Sequence, residues 1–188
     1  MLIKKTNQII SIAIFFLLVG VVTIAAGNDN ENKILNRASS LEQRAQKLTV
    51  LHGPTPEPTY LDMGEPGNSV GDMRIWHFAG KTGNGDSVVM DWNMTTTRAD
   101  NSEGIESRVT LGVFSFTDGY IDQVLIQGVG LYPGTESTFK PNSSLTRAII
   151  GGTGKFKGAK GEIVSTHLAD GTWRHVFLFS KNLKIKQH

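Results

Sequence analysis

The 188-residue sequence contains no cysteine. That excludes a disulfide framework, a thiolate metal site, a thiol nucleophile and a lipid-modified cysteine, so stability must come from burial and sheet closure. An excess of one charge is also missing: 19 Lys+Arg stand against 17 Asp+Glu, a formal charge of +2, without a long basic run. No nucleic-acid partner is expected from that balance. Charged residues make up 19% and hydrophobic ones 39%, which fits neither a disordered chain nor a polytopic membrane protein. His52, His77, His167, His175 and His188 show no HxxxH or HxH pairing, so no metal site is expected, and nothing else calls for a cofactor. Helix-length periodic segments are absent after Lys47.

What is present begins with Lys4 and Lys5 ahead of an uncharged, mostly apolar run from Ile9 to Ala26. This is the order of a Sec-type signal, and the run is also near the length of a membrane span. A cleaved signal and an uncleaved anchor over residues 1–27 both stay open. Either way the lysines stay cytoplasmic and the rest lies outside: secreted, periplasmic, or anchored to the outer face of the membrane. Residues 28–46 read as a polar linker, 47–181 as the domain and 182–188 as a basic tail.

The domain reads as short strands punctuated by Gly, Pro, Asn and Asp. They are Lys47–His52, Asp72–Ala79, Asp86–Thr97, Glu106–Phe116, Tyr120–Tyr132, Thr146–Gly151, Gly161–Leu168 and Thr172–Lys181. Pro54, Pro56, Pro58 and Pro66 forbid a central strand between the first two. Eight strands with mostly short links predict an all-β, closed, antiparallel eight-stranded barrel, which leaves no open edge; a sandwich is the alternative.

The glycine-rich stretch Gly151-Gly152-Thr153-Gly154-Lys155-Phe156-Lys157-Gly158-Ala159-Lys160-Gly161 superficially invites a phosphate-loop reading. The spacing denies it: Phe156 follows Lys155 where Ser or Thr is needed, and position 149 is not glycine. The expected structure is a glycine-hinged turn with Phe156 as a plug between strands.

On this stretch the chain resembles the allene oxide cyclase and dirigent barrel superfamily, whose GG-x-G-x-F-x-G-A-x-G turn it matches closely. Gly71-Asp72, Phe116-Thr117-Asp118-Gly119 and Gln127-Gly128 fall in the family's order, so the likeness spans roughly Lys47 to Lys181. It implies an eight-stranded barrel with a hydrophobic lumen that binds a lipid-like or polyketide-like molecule, steering either its cyclisation or the coupling of radicals. The resemblance also implies a rebuilt pocket. His52 falls where the cyclases carry a Glu, and Pro54 where they carry an Asn. Lumen positions map to Arg74, Trp76 and Phe78, a family Cys falls near Met94, and a lumen Phe maps to Arg108. These replacements argue against plant-type allene oxide cyclisation.

Strand alternation does not by itself choose the inner face, because Arg74, Trp76 and Phe78 oppose a partly apolar Met73, Ile75 and His77. Opposite Arg108, the Val109-Leu111-Val113 face is the more hydrophobic, which would leave Arg108 in solvent. Asp91 either faces water or pairs with a cation, and inside the barrel its partner would be Arg74 or Arg108. The expected ligand is an apolar, anionic small molecule bound by Arg74, Trp76, Phe78, Asp91, Met94 and Arg108, with His52 as the acid/base if the protein is an isomerase or cyclase. The alternative is a non-catalytic binding or positioning protein; self-association of such a barrel fits either reading.

Overall fold

The computed structural model describes residues 46–180 apart from 117 and 135; the signal or anchor, most of the linker and the tail lie outside the described residues. Nine strands occur among the described residues: β1 Gln46–His52, β2 Thr59–Leu61, β3 Met73–Thr82, β4 Ser87–Asp100, β5 Ile105–Ser115, β6 Gln123–Pro133, β7 Ser143–Gly152, β8 Gly161–His167 and β9 Trp173–Phe179. Each of β3 to β8 pairs antiparallel with the next, and β1 pairs with β9 along its whole length. The ring closes where β1 also meets β3, at Val50 with Thr82 and Leu51 with Lys81. The result is the expected closed eight-stranded barrel, with β2 as one added strand.

That added strand sits inside the proline-rich connection. The chain leaves β1, crosses Pro54–Pro58 and returns to pair Thr59–Leu61 with Met73–Ile75 of β3. Its three residues are exposed, as suits an edge segment too short to read from sequence. The indole N–H of Trp76 donates to the Pro56 carbonyl at 2.9 Å and fastens the connection across the rim. The strand start expected at Tyr120 moves to Gln123, because Tyr120 has a φ of 58° and belongs to the turn.

Inward residues alternate with outward ones along the strands. The inner set Phe114, Phe116, Phe156, Phe177 and Phe179 fills one end of the barrel with rings in edge or stacked contact. Phe156 is buried at the base of the glycine-rich turn, its ring centroid 4.8 Å from that of Phe116. Gly161 makes the turn's return possible: its φ is 138°, and a Cβ there would lie 2.1 Å from the Leu178 carbonyl oxygen. Lys155 is bound to Asp122, with its amide at 2.9 Å and its ammonium at 3.4 Å, so both groups are committed to a carboxylate of the protein. Phe156→Leu should therefore cost about 1–2 kcal/mol of stability, as a partly refilled core site does. Urea unfolding that matches the parent would show the plug to be dispensable.

Candidate functional site

Above the phenylalanine layer the lumen opens into a narrow cavity of about 360 Å3 counted out to its mouth. Its walls are Trp76 and Phe78 from β3, Trp92 and Met94 from β4, Tyr132 from β6, Arg147 from β7, Trp173 and His175 from β9 and His52 from β1. Thr55, Thr138 and Phe139, from the connections that follow β1 and β6, complete the lining. Each wall residue shares the inward parity of its strand, and flat rings dominate the lining. Four expected residues, His52, Trp76, Phe78 and Met94, thus meet around one space.

Arg74 and Arg108 point inward but line a different place. Arg108 is fully buried despite the hydrophobic Val109-Leu111-Val113 face, which turns outward. Its Nε donates to Glu106 Oε2 at 2.9 Å, and its terminal nitrogens donate to the carbonyls of Pro133, Glu136 and Ser137. Arg74 reaches the same Glu106 oxygen at 3.4 Å and Thr96 Oγ1 at 3.3 Å, with its guanidinium carbon 4.8 Å from the centre of the Tyr60 ring. Both arginines are held by Glu106, which i,i+2 spacing puts on the same face as Arg108. They brace the β6–β7 connection and β2, and neither lines the cavity.

Asp91 requires a correction. Because Trp92 points inward, Asp91 points outward, where its carboxylate lies 2.6 Å from His77 Nδ1 on the exposed face. It does not pair with Arg74 or Arg108; Glu106 does.

The residue missed from sequence is Arg147. It is buried, its Nη2 donates to the Tyr132 hydroxyl, and its guanidinium stands 5.1 Å above the Trp92 ring. Its Nε and Nη1 have no partner, nor does the indole nitrogen of Trp92. No carboxylate pairs with it among the described residues, and burial pushes its pKa down, with Tyr132 opposing. Gly128 on the neighbouring strand makes room for it: a Cβ there would lie 3.0 Å from Arg147 Cγ. Two further signals were legible: Arg147 shares parity with Ile149, and Gly128 leaves a gap on the facing strand.

On β1 and β9 the histidines form a directed chain. His52 Nδ1 lies 2.7 Å from the Gly53 carbonyl, which can only accept, so that nitrogen carries the proton. The neutral ring then accepts at Nε2 from His175 Nε2–H at 3.0 Å, and His175 Nδ1 accepts from the Ser165 hydroxyl at 2.8 Å. Burial is the main cause that lowers His52 to a pKa of about 4 and His175 well below its ordinary value. Both rings are neutral near pH 7, and neither has a free lone pair for a substrate proton. No cluster of three or more His, Asp or Glu that could hold a metal ion occurs among the described residues.

The sequence matches no family model and no curated protein. Among solved structures the chain is similar to a pyocyanin demethylase, with a TM-score of 0.51 and 20% identity over 72% of this chain and 99% of that one. A pterocarpan synthase dirigent protein aligns with a TM-score of 0.45 and 18% identity, over 73% of this chain and 90% of that one. What the chain shares with the demethylase is the barrel fold.

Proposed function

We propose that the barrel binds a small, flat, largely apolar molecule in its lumen and holds an anionic group of that molecule on Arg147. The observation that carries this reading is a buried guanidinium with two unpartnered nitrogens, on a side chain that borders an aromatic cavity. An uncompensated buried cation costs several kcal/mol, and a chain keeps one where something else supplies the counter-charge. The wider charge balance agrees: among the described residues Arg74, Arg108 and Arg147 are buried with two carboxylates, Glu106, which pairs with the first two, and Asp72, which is taken up by Tyr60, Met63 and Ser69. The resemblance of the Gly151–Gly161 turn to allene oxide cyclases and dirigent proteins frames the reading, while the closed histidine chain favours binding and orientation over proton abstraction by His52.

A titration of tryptophan fluorescence tests it. The full chain should bind 2-naphthoate more tightly than naphthalene-2-methanol, and Arg147→Met should weaken naphthoate binding by about 10–100-fold, the worth of a charge-assisted hydrogen bond. Equal affinities for the two probes, or an unaffected variant, would remove Arg147 from the site.

A further inference from the structure

We infer that residues 53–58, the strap between β1 and β2, are the gate of the lumen: the strap and β2 lift together from β3, with the hydrogen bond from Trp76 to Pro56 as the latch, and admit a flat apolar molecule to the cavity. This rests on the binding reading above but not on the charge of the ligand.

The wall of the barrel is incomplete at the strap. β1 and β2 both run antiparallel to β3 and are two parts of one course along it. β1 pairs Val50 with Thr82 and Leu51 with Lys81, and β2 resumes with Thr59 against Ile75. Residues 52–58 therefore stand opposite only 76–80, and the excess bulges off the ladder. Over 76–80, β4 is the one ladder partner of β3. Pro54, Pro56 and Pro58 bring no N–H to restore the missing rungs.

The strap also stands between the lumen and the outside. Thr55 borders the lumen cavity together with Thr138 and Trp173, and the same three residues border an outer groove beside the exposed Pro54, Pro56 and Glu57. Two of the three are firmly held. Trp173 lies in β9, its ring stacked on His167 at 4.4 Å. Thr138 lies in the β6–β7 connection, where the Glu136 and Ser137 carbonyls accept from Arg108 and the Phe139 carbonyl accepts from His167. Thr55 is the loose one. Among the described residues a single hydrogen bond ties 53–58 to any strand but β1, from Trp76 Nε1 to the Pro56 carbonyl.

The same residues set how the strap moves. Gly53 is a hinge with room around it: a Cβ there would meet nothing within 4 Å. The prolines fix φ, so the strap has few internal bends and moves as a piece. Its far end must then move too, and β2 is an exposed three-residue edge strand paired on one side. Besides that pairing, β2 is held by the Tyr60 hydroxyl on Asp72 Oδ2 at 2.7 Å and by Arg74 against the Tyr60 ring. Trp76 joins the latch to the site. It borders the cavity while its N–H holds the strap, so a molecule that displaces this side chain also acts on the latch.

A cross-strand disulfide tests the gate on the full chain, which has no cysteine of its own. Thr59 and Ile75 are exposed ladder partners, at the separation of neighbouring strands that a disulfide spans. In Thr59→Cys with Ile75→Cys, oxidation should slow both entry and exit of 2-naphthoate at least about 10-fold in stopped-flow tryptophan fluorescence. The affinity should stay the same, and dithiothreitol should restore both rates. Uncharged naphthalene-2-methanol should be slowed by the same factor. Tyr60→Leu, which releases β2 from Asp72, should speed entry and exit about 10-fold, as loss of a hydrogen bond to a charged group does. Rates unchanged by the closed disulfide, or by Tyr60→Leu, overturn the gate and leave the binding reading intact. A change in exit alone, with altered affinity, overturns it as well, because the strap is then a contact of the bound molecule. Failure of both probes to bind the parent protein overturns the binding reading, and the gate with it.

Discussion

Replacing Arg147 by methionine together with Tyr132 by phenylalanine is expected to make the empty barrel more stable, by about 1–4 kcal/mol, while abolishing anion binding. Arg147 gives up its hydration to lie in the lumen. Against that loss it has one hydrogen bond to Tyr132 and the face of Trp92, with no carboxylate. A hydrogen bond involving a charged group contributes about 1.5–3 kcal/mol and a desolvated cation–π contact about 2 kcal/mol, below the desolvation of an unpaired guanidinium. Methionine keeps the unbranched stem against Gly128 and adapts to an irregular gap. Tyr132→Phe is included because the hydroxyl left behind would otherwise lose its only partner. The comparison is a urea midpoint at unchanged slope, with 2-naphthoate titrated against both proteins. A double variant less stable than the parent would show that Arg147 is compensated even in the empty barrel, and the anion site would lose its physical basis. A gain in stability with loss of binding is the signature of a residue kept for function.

The buried charges divide in the same terms. Glu106 sits between Arg74 and Arg108, and the second arginine also gathers three carbonyls of the β6–β7 connection. Those two cations are architectural, because their charge is answered by Glu106 within the protein. Arg147 has no carboxylate partner among the described residues.

Strand existence was legible in the sequence because glycine, proline and Asn/Asp turns break the chain at short intervals. The turn containing Phe156 was legible because its glycine spacing fits no phosphate loop. The inner face was harder. Outward positions of this barrel are themselves apolar: Leu111 is 44% exposed, Val129 58% and Leu131 63%. With ions inside and aliphatics outside, the hydrophobic face of β5 points to solvent, so the usual inference from pattern put Arg108 on the wrong side. The resemblance placed Arg74, Trp76, Phe78 and Arg108 inward correctly, since it rests on position and not on polarity. Asp91 failed on parity alone, being adjacent to inward-facing Trp92. β2 escaped notice because three exposed residues between prolines carry no periodic signal.

The stability of the barrel should fall by about 3 kcal/mol or more as the pH is lowered from 6.5 to 4. His52 is held at a pKa of about 4 in the folded state against 6.5 in the unfolded chain, chiefly by burial, with His167 adding to the effect and the Gly53 carbonyl opposing it. His175 is lowered well below 6.5 by burial, His52 and Arg147. Folding therefore prefers both rings neutral. Above the unfolded value neither state binds the proton and the full stability is present. As the pH drops below it, the unfolded chain gains protons that the folded barrel refuses, so the free energy of unfolding declines until the folded rings titrate in turn. At about 1.4 kcal/mol per pKa unit, the displacement of His52 accounts for the figure, and His175 adds to it. The groups facing the pair, His167 and Arg147, are a potential and an actual cation, so protonation finds no relief there. Asp72 acts in the same direction at lower pH. Burial raises its pKa, but the amides of Ser69 and Met63 and the hydroxyls of Tyr60 and Ser69 bring it below 3.8, so its contribution is lost only beneath that value. Urea midpoints at half-unit steps of pH separate the two windows. His52→Phe with His175→Phe, which keeps the aromatic contacts of both rings with Trp173 and Phe114, should flatten the upper window and leave the lower one. A parent protein whose stability is level from pH 6.5 to 4 would mean that the histidine chain is open to water and not the closed relay described above.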